Sequence, residues 1–113
     1  MIHAAPFEMR TEIQDGSARL MLVGELDIAA APRVEEAVGL LLAQGARELV
    51  LDLTGLRFID SSGLRMFIIL SDRAKAEGWR LGLVRPAGQA ASLFSVTRAE
   101  QSLPFIEDPH AER

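Results

Sequence analysis

The chain has 113 residues, 49% of them hydrophobic and 25% charged, with no cysteine and a formal net charge of −4. That length and balance suit one globular domain with a core of its own and leave little room for a second. The absence of cysteine excludes disulfides, thiolate metal sites and a cysteine nucleophile, and an acidic chain without a basic stripe excludes direct nucleic-acid binding.

The opening "MIHAAPFEMR" lacks the basic start and long apolar core of a signal peptide. The longest uninterrupted apolar run, Met66–Leu70, is far too short to insert in a membrane, so a cytoplasmic protein is expected. Residues 1–6 and 108–113 are expected to be loose ends around an ordered core of about 8–107, all of it one domain.

"MRTEIQDGSARLMLVGEL" predicts a β-hairpin. Met9, Thr11 and Ile13 alternate with charged or polar residues, and Asp15-Gly16 marks a tight turn, because a type I′ turn needs positive φ. The return strand runs from Ser17 to about Val23, with Leu20 and Leu22 on one face, and Gly24 closes it. Pro32 suits the first turn of a helix, where its missing N–H costs nothing. Val34, Ala37, Val38, Leu41 and Leu42 follow at helical spacing, and Gly45 ends the helix as its C′ residue. "ELVLDL", residues 48–53, is the next strand, with Leu49, Leu51 and Leu53 on one side. A second helix is expected from Ser62 to Glu77, stopped by "EGW". "RLGLV" is a further strand ended by Pro86, a short helix follows from Gly88 to Val96, and "LPFIED" supplies a last short edge strand.

The order ββαβαβαβ implies an α/β domain with a mixed sheet: an antiparallel hairpin first, then parallel βαβ units with right-handed crossovers. The strands alternate instead of being apolar throughout, which places the helices mainly on one face and leaves the other more open.

The stretch "FIDSSGLRMFIIL", residues 58–70, carries the candidate chemistry. Asp60, Ser61 and Ser62 stand where the free N–H groups of a first helical turn need acceptors, and Gly63 eases a tight turn, so capping is the plain structural reading. The alternative is that a hydroxyl is exposed for modification or catalysis. A hydrolase is disfavoured: the stretch lacks the G-x-S-x-G pattern, and the only histidines, His3 and His110, lie in the expected tails. Phosphorylation fits better. A phosphate on Ser61 is expected to settle on the free N–H groups at the positive end of the helix dipole, with Arg65 one turn along to pair with it and Asp60 opposing it. At 100° per residue, Leu64, Phe67, Ile68, Ser71 and Ala74 are expected to face the sheet. Met66 and Ile69 then point outward beside Arg65 and Arg73 as an apolar docking patch.

"GELD" at 24–27 and "LVLDLTGLRFIDSSGL" at 49–64 resemble the STAS domains, specifically the bacterial anti-sigma factor antagonists, and the resemblance extends from about Glu8 to Glu107. It implies a STAS-type mixed sheet and a role in partner switching. The unphosphorylated antagonist would bind an anti-sigma factor, a serine-protein kinase of the GHKL ATPase type. Phosphorylation on the serine after the motif's aspartate would release it, and a serine phosphatase would reset it. Carried onto this chain, the acceptor is Ser61. Asp60 matches the preceding aspartate, Ser62 the second hydroxyl, Gly63 the glycine, and Asp27 a position in the neighbouring loop that shapes the partner surface. With Arg65, Met66 and Ile69 they make up the expected partner-binding set.

Two departures accompany the resemblance. The chain ends soon after "LPFIED", so the family's final helix is expected to be missing or very short. The loop "IAAAP" after "GELD" is alanine-rich and reads as poor in contact groups. The competing reading is a constitutive STAS scaffold, a subunit of a transporter ATPase or of a stress-sensing assembly, with Ser61 chiefly a cap. Neither reading is enzymatic, and neither calls for a cofactor or metal.

Overall fold

The computed structural model describes residues 7–108, apart from the side chain of Glu100. The hairpin comes first: β1 (Phe7–Gln14) and β2 (Ser17–Leu26) pair antiparallel, from Phe7 opposite Gly24 to Gln14 opposite Ser17. Asp15 at φ 45° and Gly16 at φ 72° form the turn, as the Asp-Gly pair requires. Helix α1 (Ala31–Ala43) has Pro32 in its first turn. It ends in a Schellman motif: the Gly45 N–H donates to the Leu42 carbonyl and the Ala46 N–H to the Leu41 carbonyl, each at 3.0 Å, with Gly45 at φ 102°. Then come β3 (Glu48–Ile59), α2 (Ser61–Glu77), β4 (Arg80–Val84), α3 (Gly88–Thr97), a 3-10 turn at Ala99–Gln101 and β5 (Phe105–Ile106). The strands lie in the order β1-β2-β3-β4-β5, with the first pair antiparallel and the others parallel. This is the mixed sheet that the element order implies.

Strand alternation decides which face is covered. Leu20, Leu22, Leu49, Leu51, Leu53 and Leu83 are all at most 1% exposed and share one core with Val34 and Val38 of α1, Phe67 and Leu70 of α2, and Phe94 of α3. Phe94 lies 6.2 Å from Phe67 and meets Phe105 edge-on at 5.2 Å, which fastens α3 and β5 to the same core. The opposite face is more open, with Ser17, Arg19, Met21 and Val50 only half-buried. There Arg19 Nη2 donates to Asp52 Oδ2 at 2.8 Å and to Asp108 Oδ1 at 3.0 Å. Asp52 Oδ1 also accepts from the Thr54 N–H at 2.9 Å and its hydroxyl at 2.7 Å, so this buried carboxylate is well satisfied. Asp108, expected in a loose tail, is therefore tied to β2 through Arg19. Residues 1–6 and 109–113, with His3 and His110, lie outside the described residues.

Strand β3 continues past the expected stop at Leu53, and β2 past Val23, because their upper halves pair with each other. Val23 lies opposite Gly55 and Leu26 opposite Ile59, with register shifts between Met21 and Val23 and between Gly24 and Glu25. Gly24, expected to close the strand, sits inside this irregular region at φ 104°. A side chain at Gly55 would meet the Leu22 carbonyl oxygen at 3.0 Å, so glycine permits the close pairing.

Helix α2 is rotated about 60° from the expected face, at 100° per residue. Its buried residues are Gly63, Met66, Phe67, Leu70, Ser71 and Ala74. Met66, expected outward, is 1% exposed, and Ile68, expected inward, is 42% exposed. The cause lies at the start of the helix. A Cβ on residue 63 would be 2.9 Å from Ile59 Cγ2 and 3.0 Å from Leu26 Cδ2, so the first turn sits against the strand ends on its glycine side. From Gly63, the same face carries Met66, Phe67, Leu70 and Ala74 at the helical repeat.

Candidate functional site

Leu26 and Ile59 are paired residues at the ends of two neighbouring parallel strands, and each is followed by an aspartate. The Asp60 N–H donates to the Leu26 carbonyl at 3.1 Å, which fixes the two exits side by side. Asp60 is the N-cap of α2 in an extended conformation, φ −99° and ψ −175°. Its Oδ1 accepts from the Ser62 N–H at 2.9 Å and the Gly63 N–H at 3.2 Å. Asp27 does the same work before α1: its Oδ1 accepts from the Ala29 N–H at 3.1 Å and the Ala30 N–H at 3.0 Å. Both aspartates therefore spend one carboxylate oxygen on their own turns.

Ser61 is exposed and its hydroxyl makes no hydrogen bond to any described residue. Capping is complete without it. Asp60 already occupies the N–H groups of Ser62 and Gly63, two of the donors expected to receive a phosphate. Asp60→Ala is expected to lower stability by about 1–2 kcal/mol through loss of this cap, and Asp60→Asn by much less, as read from thermal unfolding.

A shallow groove of about 210 Å³ runs between α1 and α2. Ile28, Ala31, Pro32 and Glu35 form one wall, and Ser62, Arg65, Met66 and Ile69 the other. The fold thus brings together four residues of the expected partner-binding set, differing in exposure. Arg65 is exposed, Ile69 is 40% exposed, and Ser62 is half-buried, while Met66 reaches the groove only as an almost fully buried floor. Gly63 is buried beneath the first turn, and Asp27 and Asp60 each hold their own turn. The sequence reading missed Ile28 and Glu35. Ile28 is 74% exposed in the loop judged poor in contact groups. The signal was a lone large apolar residue followed by alanines and a proline, none of which can cover it.

No helix among the described residues is long and apolar enough to cross a membrane, and no group of three or more potential metal-ligating residues is found among them.

The family model described as "Mlab, STAS domain" matches residues 9–107, a span that takes in both strand–aspartate–helix junctions. The anti-sigma-F factor antagonist RsfB of Mycobacterium tuberculosis is 33% identical over 72 residues, which cover 62% of this chain and 59% of that protein. The match therefore spans less than two thirds of that relative's length. The anti-sigma-B factor antagonist of Staphylococcus aureus is 25% identical over 104 residues, covering 92% of this chain and 96% of that one. Among solved structures, an anti-sigma factor antagonist from Mycobacterium paratuberculosis superposes with a TM-score of 0.74 at 25% identity, covering 95% of this chain and 89% of that chain.

Proposed function

The chain belongs to the STAS domain family, and from that premise we propose that it is an anti-sigma factor antagonist switched by phosphorylation of Ser61. In this reading the unphosphorylated protein docks on an anti-sigma factor that is also a GHKL-type serine kinase, and a sigma factor is freed for transcription. The kinase transfers the γ-phosphate of ATP to the Ser61 oxygen, ADP leaves, and the antagonist is released until a serine phosphatase resets it. The protein is the acceptor and carries no catalytic group of its own. The reading places it in the cytoplasm, with a surface formed by Asp27, Asp60, Ser62, Gly63, Arg65 and Ile69 over the buried Met66.

The observation that carries this reading is the division of labour at the helix start. Asp60 caps α2 alone, and Ser61 is left exposed with no structural duty. If Ser61 were there chiefly as a cap, as the scaffold reading supposes, its oxygen would take those N–H groups.

The same division explains how one phosphate acts without refolding. It adds roughly −1.5 to −2 charges beside two helix donors that Asp60 already occupies. A partner carboxylate about 5 Å away then costs about 3 kcal/mol per charge pair at an effective dielectric of 20. That is about two decades in affinity.

The test is intact mass after incubation with the cognate kinase and ATP. One added phosphate is expected on the wild type and none on Ser61→Ala. The phosphorylated protein is expected to bind the anti-sigma factor about a hundredfold more weakly, and Ser61→Asp about tenfold or more, with melting temperature nearly unchanged. A chain that accepts no phosphate yet copurifies stably with an ATPase would instead be the scaffold.

A further inference from the structure

The groove between α1 and α2 holds an acid and a base that the chain itself leaves unpaired. Glu35 lies on the α1 wall and Arg65 on the α2 wall, and neither takes part in any ion pair of the described residues. Ile28 is 74% exposed on the first wall and Ile69 40% exposed on the second. Arg73, further along α2, is already paired with Glu77 at 3.2 Å.

We propose that this groove also receives a second copy of the chain, in a two-fold symmetric dimer. An isologous contact sets each copy's α1 wall against the other's α2 wall. Glu35 then meets Arg65 of the second copy, twice over, and the apolar side chains of Ile28 and Ile69 cover one another. An occupant of uniform charge would satisfy one wall and be repelled by the other, whereas a second copy brings an acid and a base in the order that the two walls require. The groove is shallow, and the dimer belongs with transient contacts that bury less than about 1,200 Å². Its consequence rests on the function proposed above: a groove filled by a second copy is closed to the anti-sigma factor, so a crowded pool of antagonist holds itself in reserve.

The test is sedimentation equilibrium of the full chain, alone, from about 10 to 500 µM at low and high salt, since exposed ion pairs weaken as salt screens them. Self-association that rises with concentration and falls with salt is expected. Glu35→Arg or Arg65→Glu each weakens it about tenfold or more, by setting like charges against each other. An equimolar mixture of these two variants recovers it, because each wall again meets its opposite. Ile28→Asp, at a position 74% exposed and so tolerable to the fold, also weakens it. A wild type that stays monomeric across the range, or a mixture no stronger than its components, overturns the dimer. Variants that lose the anti-sigma factor without any change in self-association also overturn it and leave the groove as a site for that partner alone. Phosphate transfer to Ser61 is measured separately, so failure of the switch and failure of the dimer are distinguishable.

Discussion

Met66→Asp unfolds the domain while Ile68→Asp leaves it folded: that is the expected result, and it follows from the rotation of α2. Met66 is 1% exposed and packs in the core with Phe67 and Leu70, whereas Ile68 is 42% exposed. Removing a buried methionine side chain costs about 2–5 kcal/mol. Placing an unpaired carboxyl in the same space adds about 1–3 kcal/mol even after the group neutralises itself. The sum approaches the whole stability of a domain this size, roughly 5–15 kcal/mol. Met66→Leu, which keeps the volume and adds no polar atom, is expected to cost less than about 1.5 kcal/mol. Circular dichroism and thermal unfolding of the three variants decide the matter. A folded Met66→Asp beside an unfolded Ile68→Asp would mean that the helix presents its other apolar face to the sheet.

The second large effect is at Gly63, where two physical terms oppose each other. Replacing a helical glycine by valine gains about 0.4 kcal/mol in helix propensity. Here the new Cβ alone would lie 2.9 Å from Ile59 Cγ2 and 3.0 Å from Leu26 Cγ and Cδ2, and Ile59 and Leu26 are 4% and 0% exposed. Branched core side chains cannot swing away from such a contact, and overpacking of this kind costs about 1–3 kcal/mol before valine's further methyls are seated. Gly63→Val is therefore expected to destabilise by about 3 kcal/mol, a melting shift of roughly 10–15 °C. Gly39 in α1 is the control. A Cβ there meets nothing within 4 Å, so Gly39→Ala is expected to stabilise by as much as about 1 kcal/mol. If Gly63→Val cost no more than a surface change, the close seating of α2 on the strand ends would be wrong, and with it the reason for the helix's rotation.

Local rules made much of this protein legible. Asp15-Gly16 demands positive φ on both residues, so the hairpin could be read before any contact was known. Pro32 and Gly45 bracket α1 for reasons internal to a helix's own ends, and "EGW" stops α2 at Gly78, which takes the left-handed conformation at φ 80°. Asp60 was recognisable as a cap because its short carboxylate reaches the next turn whatever lies around it. The stretch "LVLDLTGLRFIDSSGL" was enough to point to the family that the match over residues 9–107 then supported.

What escaped the sequence reading depends on groups far apart along the chain. The apolar run Met66–Leu70 supports two helix faces about 60° apart. The choice between them is made by Gly63 against Leu26 and Ile59. The upper half of β3 is a strand because β2 extends beside it. Asp108 is held because Arg19 reaches it from 89 positions away. Ile28 and Glu35 became candidates only when α1 and α2 were set next to each other. The amino-acid order alone determined the elements, their caps and the serine at the head of α2, since turns, caps and periodicity involve neighbours a few residues apart. The helix rotation and the groove were decided by tertiary packing, because close contact between distant side chains selects among local arrangements of similar energy.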